Sequence, residues 1–271
     1  DLLINLQKQA QAQLKPKDKD GLPFFEWKYI DSNKNPKPLP MPNLGDVWFD
    51  MESIHNPISG KKLEYLFGVS YRNEEGLILD ENDEPFFNSW WAHQEGEEES
   101  LAFQNWVYWI EKRRSIEKYR NLHIYHYGHY EKAAMRQLQE KHNVCVDIIR
   151  EWLSSGILVD LLPIVKSALF LGEEGYSIKN IEKIYPKKYK YKRDGDVANA
   201  VDSILEYQIW RDSGESKRVE ESPKLKKIED YNKKDCFSTY VLHKFLLDSK
   251  QNNQRININI GTDKNQEQGK E

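Results

Sequence analysis

The pattern of apolar and polar positions divides the chain into a strand-rich first half and a helix-rich second half. Residues 45–53 (GDVWFDMES) follow a proline-rich run, Pro36, Pro38, Pro40 and Pro42, and set Val47, Trp48, Phe49 and Met51 in a buried pleat. Residues 63–71 (LEYLFGVSY) predict a second strand that returns as a hairpin through a turn marked by Asn56-Pro57 and Ser59-Gly60. Residues 86–93 (FFNSWWAH) predict a third. A helix opens on Glu97, Glu98 and Glu99, whose charge suits an N-terminal dipole, and Arg113 and Arg114 close it. Phe103, Trp106, Val107 and Ile110 give that helix an apolar stripe at i, i+3, i+4, i+7 spacing. Residues 122–128 (LHIYHYG) predict a fourth strand that runs into a helix over 130–142. A short helical piece at 148–155 and Gly156 then precede a fifth strand at 157–161 (ILVDL). Ser177 is placed to cap a helix over 178–185, and longer helices are expected over 197–213 and 225–248. Residues 1–44 predict an approach segment, a short helix to Leu14 and then a linker rich in Lys, Asp, Asn and Pro. Residues 249–271 predict a polar tail in which 256–260 (ININI) offers an edge strand.

Strands in succession, then helix–strand–helix–strand, then helices predict an α/β fold. Its mixed five-stranded sheet begins as a meander, ends in a parallel pair and carries helices on both faces. The 15 Tyr, 10 Phe and 8 Trp supply a core for it. With 40 Lys+Arg against 44 Asp+Glu, the net charge of −4 excludes a uniform basic coat for nucleic acid and leaves room for a local basic cleft. Cys145 and Cys236 form neither a disulfide framework nor a metal cluster, which points to a reducing compartment and a cytoplasmic location. No apolar run is long enough to span a bilayer, no signal-peptide pattern is present, and no membrane partner is expected. The chain opens on Asp1 without an initiator methionine, so a longer parent chain is expected.

Two acids change this picture. Asp50 and Glu52 interrupt an otherwise apolar strand, and at i, i+2 they leave the same face near its C-terminal end. Like charges crowded there destabilise the strand unless a cation sits between them. Glu131 lies in the first turn after the fourth strand, where open α/β sheets place ligands; the alternative is a carboxylate matching the helix dipole beside surface aromatics. Tyr231 and Asp235, four apart in the last helix, share a face with Ile228 and Leu242, which turns an acid inward; the alternative is a pairing of Asp235 with Lys233 or Lys234. Asp160 ends the fifth strand, as a helix cap or a further ligand. Carboxylates of this kind select Mg²⁺ or Mn²⁺, and two such ions clamp the attacking and leaving oxygens of a phosphodiester, with Tyr231 orienting the water. His126 and His129 lack an accompanying Cys and are read as rim or structural residues.

The order Asp50-x-Glu52, a strand-to-helix acid, then Tyr231-x-x-x-Asp235 resembles the DEDD exonucleases of the ribonuclease H-like superfamily, in the variant with Tyr in the third motif. The segments GDVWFDMES, LEYLFGVSY, YHYGHYEKAAMRQL, ILVDLLPIV, YSIKNIEKIY and IEDYNKKDC, spanning about residues 45–248, are more closely similar to the nuclease domain of predicted RecB-like nuclease–helicase fusion proteins. The resemblance implies a ribonuclease H-like fold, a 3′-to-5′ nuclease activity, Asp50, Glu52 and Asp235 as metal ligands, and helicase or other domains in a longer chain. The second motif departs from the pattern: Glu131 follows His126 where typical members carry Asp after Asn, so Glu131 or Asp160 completes the set. Lys187, Lys188, Lys190, Lys192 and Arg193 interleave with Tyr189 and Tyr191, an arrangement that tracks phosphates and stacks bases of single strands; the alternative is a solvated basic loop. Two functions are therefore expected to compete: a two-metal exonuclease acting on single-stranded DNA or RNA ends, and a nucleic-acid-binding module with a degraded site.

Overall fold

A computed structural model describes residues 2–28, 39–55, 60–186 and 200–264. In chain order its elements are α1 (Leu2–Leu14), β1 (Phe25–Trp27), β2 (Val47–His55), β3 (Lys62–Tyr71), β4 (Phe87–Trp91), α2 (Glu97–Arg114), β5 (Ile124–His126) and α3 (Tyr130–His142). They continue as α4 (Val146–Ser155), β6 (Leu158–Asp160), α5 (Leu161–Ala168), β7 (Leu169–Leu171), α6 (Ile178–Glu182), α7 (Ala200–Ser213) and α8 (Pro223–Lys264). The chain divides into two compact units, one of residues 40–163 and 191–240, the other of residues 1–39, 164–190 and 241–271.

The first unit carries a five-stranded sheet in the order β4-β3-β2-β5-β6. β2 pairs antiparallel with β3, and β3 with β4, while β5 runs parallel to β2 and β6 parallel to β5. The expected meander and parallel pair are both present. β2 lies at the centre, and its alternation sorts two chemistries. Val47, Phe49 and Met51 enter the main core, where Phe49 stacks on Trp106 of α2 at 4.4 Å and Trp106 meets Trp152 of α4 edge-on. Trp48, Asp50 and Glu52 take the opposite face. There Trp48 stacks with Tyr125 of β5 and meets Tyr240 of α8 edge-on at 4.7 Å.

One irregularity shapes that face. Glu52 pairs with Leu66 and Ser53 with Glu64, so Tyr65 is skipped by the ladder. Such a bulge turns a side chain that strict alternation would send the other way. The Tyr65 ring accordingly stacks on Tyr207 of α7 at 3.9 Å and its hydroxyl reaches Ser203 at 2.9 Å.

The second unit is smaller. β1 pairs antiparallel with β7, and Gln9 of α1 bonds both the carbonyl and the amide of Leu171. Residues 2–28 contribute α1 and β1 to this unit, α1 being the short helix expected up to Leu14. α8 remains helical through Lys264, so 256–260 do not form an edge strand. The turn expected at 56–59 and the basic stretch 187–193 lie outside the described residues. Among the described residues, no helix is long and apolar enough to cross a membrane.

Candidate active site

Asp50 and Glu52 leave β2 side by side, and α8 lays Asp235 against them: oxygens of the three carboxylates all lie within 4.8 Å of one another. Glu52 is buried, and Asp50 and Asp235 are half-buried. Burial raises Asp50 well above the usual carboxylate range, and Glu52, Asp235 and Glu131 push it in the same direction. Burial, and then Asp235, pushes Glu52 up to about 8, against the pull of hydrogen bonds from Ser203, Asn232 and Tyr65. The largest charge effects on Asp50 therefore all come from acids, the arrangement that a divalent cation relieves.

Neutral donors hold these acids in place. Asn232 Nδ2 donates to Asp50 Oδ2 at 2.9 Å. Ser203 Oγ donates to Glu52 Oε2 at 3.1 Å. Behind it, the Tyr65 hydroxyl stands 2.9 Å from Ser203 Oγ. The result is a relay from β3 through α7 to β2. Tyr231, almost fully buried, is hydrogen-bonded to Asp235, and burial together with Asp235 and Glu52 raises its phenol far above the ordinary range. It stays protonated at any working pH.

The other candidates fall at different places. Glu131 is buried near enough to Asp50 to act on it, yet it stands outside the three-acid group, with Oε2 at 3.3 Å from Nδ1 of the fully buried His126. Asp160 is also outside the group; its Oδ1 accepts from the amides of Gly128 and Leu162, both at 2.9 Å, and so caps the start of α5. His129 is exposed just before α3.

Sequence reading passed over Tyr65, Ser203 and Asn232. One signal for Asn232 was present. Gly68 sits mid-strand in LFGVSY, a position where glycine marks close approach of another group. Gly68 pairs directly with Asp50, and a Cβ there would stand 1.6 Å from Asn232 Oδ1.

The donor set suits a hard divalent ion. Carboxylate oxygens are the ligands Mg²⁺ and Mn²⁺ take, and here three of them lie within 4.8 Å of one another. No curated protein and no solved structure matches the chain. A family model described as the RNase H superfamily matches residues 47–247, from the first residue of β2 to beyond Asp235, and so takes in every acid described above. The chain belongs to the RNase H superfamily, whose members hydrolyse nucleic-acid phosphodiesters.

Proposed function

We propose that the chain is a 3′-to-5′ exonuclease acting on single-stranded DNA or RNA ends, with Asp50, Glu52 and Asp235 as ligands of Mg²⁺ or Mn²⁺. The observation that carries this reading is the meeting of the three carboxylates, drawn from one strand and one distant helix, where burial and the neighbouring acids raise Asp50 and Glu52. A pair of divalent ions would supply charge stabilisation for the attacking and leaving oxygens of the phosphodiester. The chain's own residues do the rest. Asn232 and Ser203 fix the rotation of Asp50 and Glu52. Tyr231 is a protonated phenol beside Asp235, so it orients a water or a phosphate oxygen by hydrogen bonding and does not abstract a proton. Glu131 adds negative charge behind Asp50 and completes the acid set if its side chain turns from His126. A helicase, as in the nuclease–helicase fusions that the sequence resembles, would supply single-stranded ends.

A second reading, a binding module that no longer cleaves, is favoured by one observation: Glu131 faces His126 and stands apart from the other acids. Digestion of single strands labelled at either end, with Mg²⁺ or Mn²⁺, separates the two. Stepwise loss from the 3′ end, absent in Asp50→Asn, supports the exonuclease. Cutting of circular strands would make it an endonuclease, and no cleavage by the wild type would leave the binding module.

A further inference from the structure

We infer that Asn232 is a positioning residue for the metal centre: its side-chain amide sets the orientation of Asp50 from a slot that exists because residue 68 has no side chain. The inference rests on the metal-centre reading above. Asn232 is fully buried, and its Nδ2 donates to Asp50 Oδ2 at 2.9 Å. Its Oδ1 points the other way, over Gly68 and within 3.8 Å of Cys236 Sγ. The carbonyl end is therefore turned from the acids, and the amide holds a ligand without being one.

The slot is specific to this pairing. Gly68 is the residue directly across the β2–β3 ladder from Asp50. A Cβ there would lie 1.6 Å from Asn232 Oδ1, far inside any tolerated contact, and 2.9 Å from the Phe87 ring. One strand thus gives up a side chain so that an amide from α8 can bond the acid on the neighbouring strand. The place of Asn232 between Tyr231 and Asp235 means that the turn of helix bringing Asp235 to the acids delivers the amide with it. Groups that orient a ligand from behind typically alter metal affinity or activity by about 10- to 100-fold when removed.

The test uses Asn232→Leu, Gly68→Ala and the double variant Gly68→Ala/Asn232→Ala, in which the added methyl fills space left by the lost amide. For each, the metal-free melting temperature, the calorimetric Mn²⁺ affinity, and kcat and KM on a single-stranded oligonucleotide are measured. Gly68→Ala should lower both the melting temperature and Mn²⁺ affinity. The double variant should regain the melting temperature yet bind Mn²⁺ about 10- to 100-fold more weakly, with kcat falling and KM held within about twofold. Asn232→Leu should show the same loss of Mn²⁺ affinity. A merely structural Asn232 would instead lose stability and keep its affinity. Wild-type Mn²⁺ binding in the folded double variant overturns this inference alone. A wild type that takes up no Mn²⁺ overturns the metal centre and this inference with it.

Discussion

Ser203 of α7 donates to Glu52 Oε2 at 3.1 Å across 151 residues of sequence, and the Tyr65 hydroxyl stands 2.9 Å behind it. The acid proposed as a metal ligand is therefore oriented by a helix that lends the candidate site no carboxylate. Ser203→Ala removes the donor and leaves a buried carboxylate and a buried phenol without a shared partner, at a cost of about 1–3 kcal/mol in stability. Mn²⁺ affinity should fall by about 10- to 100-fold, as for other groups that hold a ligand from behind. Calorimetry on the folded variant checks this. Unchanged affinity would assign Ser203 to packing alone.

The raised acids set a pH dependence for the metal-free protein. Glu52 is pushed up to about 8 from 4.5, and Asp50 is raised as well. A carboxyl whose folded pKa exceeds its unfolded value holds its proton more tightly in the folded state. Its stabilising contribution is complete below the unfolded value and is lost as pH climbs towards the folded one. The melting temperature without metal should therefore fall between about pH 5 and pH 8, at up to about 1.4 kcal/mol per pH unit for each proton. Stabilisation by Mn²⁺ should grow over the same window, because the ion takes the ionised acids. Thermal melts with and without Mn²⁺ across that range decide it, and a metal-free curve that rises with pH contradicts the assignment.

Asp235→Asn separates folding from catalysis. Asp235 raises both Asp50 and Glu52 by charge repulsion, so its neutral isostere relieves the crowding. The metal-free variant should melt at or above the wild-type temperature, and its loss of stability towards pH 8 should be shallower. Cleavage should drop by more than about 100-fold if Asp235 is a ligand and not merely a support. Retained cleavage would remove Asp235 from the metal centre.

How much of this was legible in the sequence follows from how local each signal is. Asp50 and Glu52 declare a shared face through strand alternation, and Tyr231 and Asp235 through helical spacing, because each pair sits within one element. Asn232 and Ser203 carry no such mark. Their roles depend on a helix meeting a strand far away in the chain, and only Gly68 hinted at the first of them. The bulge at Tyr65 is also silent in sequence, since LEYLFGVSY alternates no differently from a regular buried strand. β1 and β7 span three residues each and pair across more than a hundred, too short to leave a periodicity.

Asp160 tests the boundary of the site from outside. Its Oδ1 caps the amides of Gly128 and Leu162, and asparagine offers an oxygen in the same place. Asp160→Asn should keep cleavage near the wild-type rate, whereas Asp160→Ala should cost about 1–3 kcal/mol of stability for the amides it abandons. Denaturant unfolding and a digestion assay on both variants report this directly. Complete loss of cleavage in a stable Asp160→Asn protein would make Asp160 a ligand.

The basic stretch gives a prediction that is independent of catalysis. Lys187, Lys188, Lys190 and Lys192 alternate with Tyr189 and Tyr191, so cations and rings recur within a span that a few nucleotides would cover. If these lysines neutralise phosphates, binding releases counterions, and each neutralised phosphate contributes about 0.7 to the slope of log affinity against log salt for a single strand. Replacing the four lysines by glutamine should weaken oligonucleotide binding and lower that slope by about 0.7 for every phosphate left without its cation. Fluorescence anisotropy over a salt series, in Asp50→Asn protein so that the probe stays intact, measures both quantities. An unchanged slope with unchanged affinity would mean that the lysines are solvated and that the strand is held elsewhere.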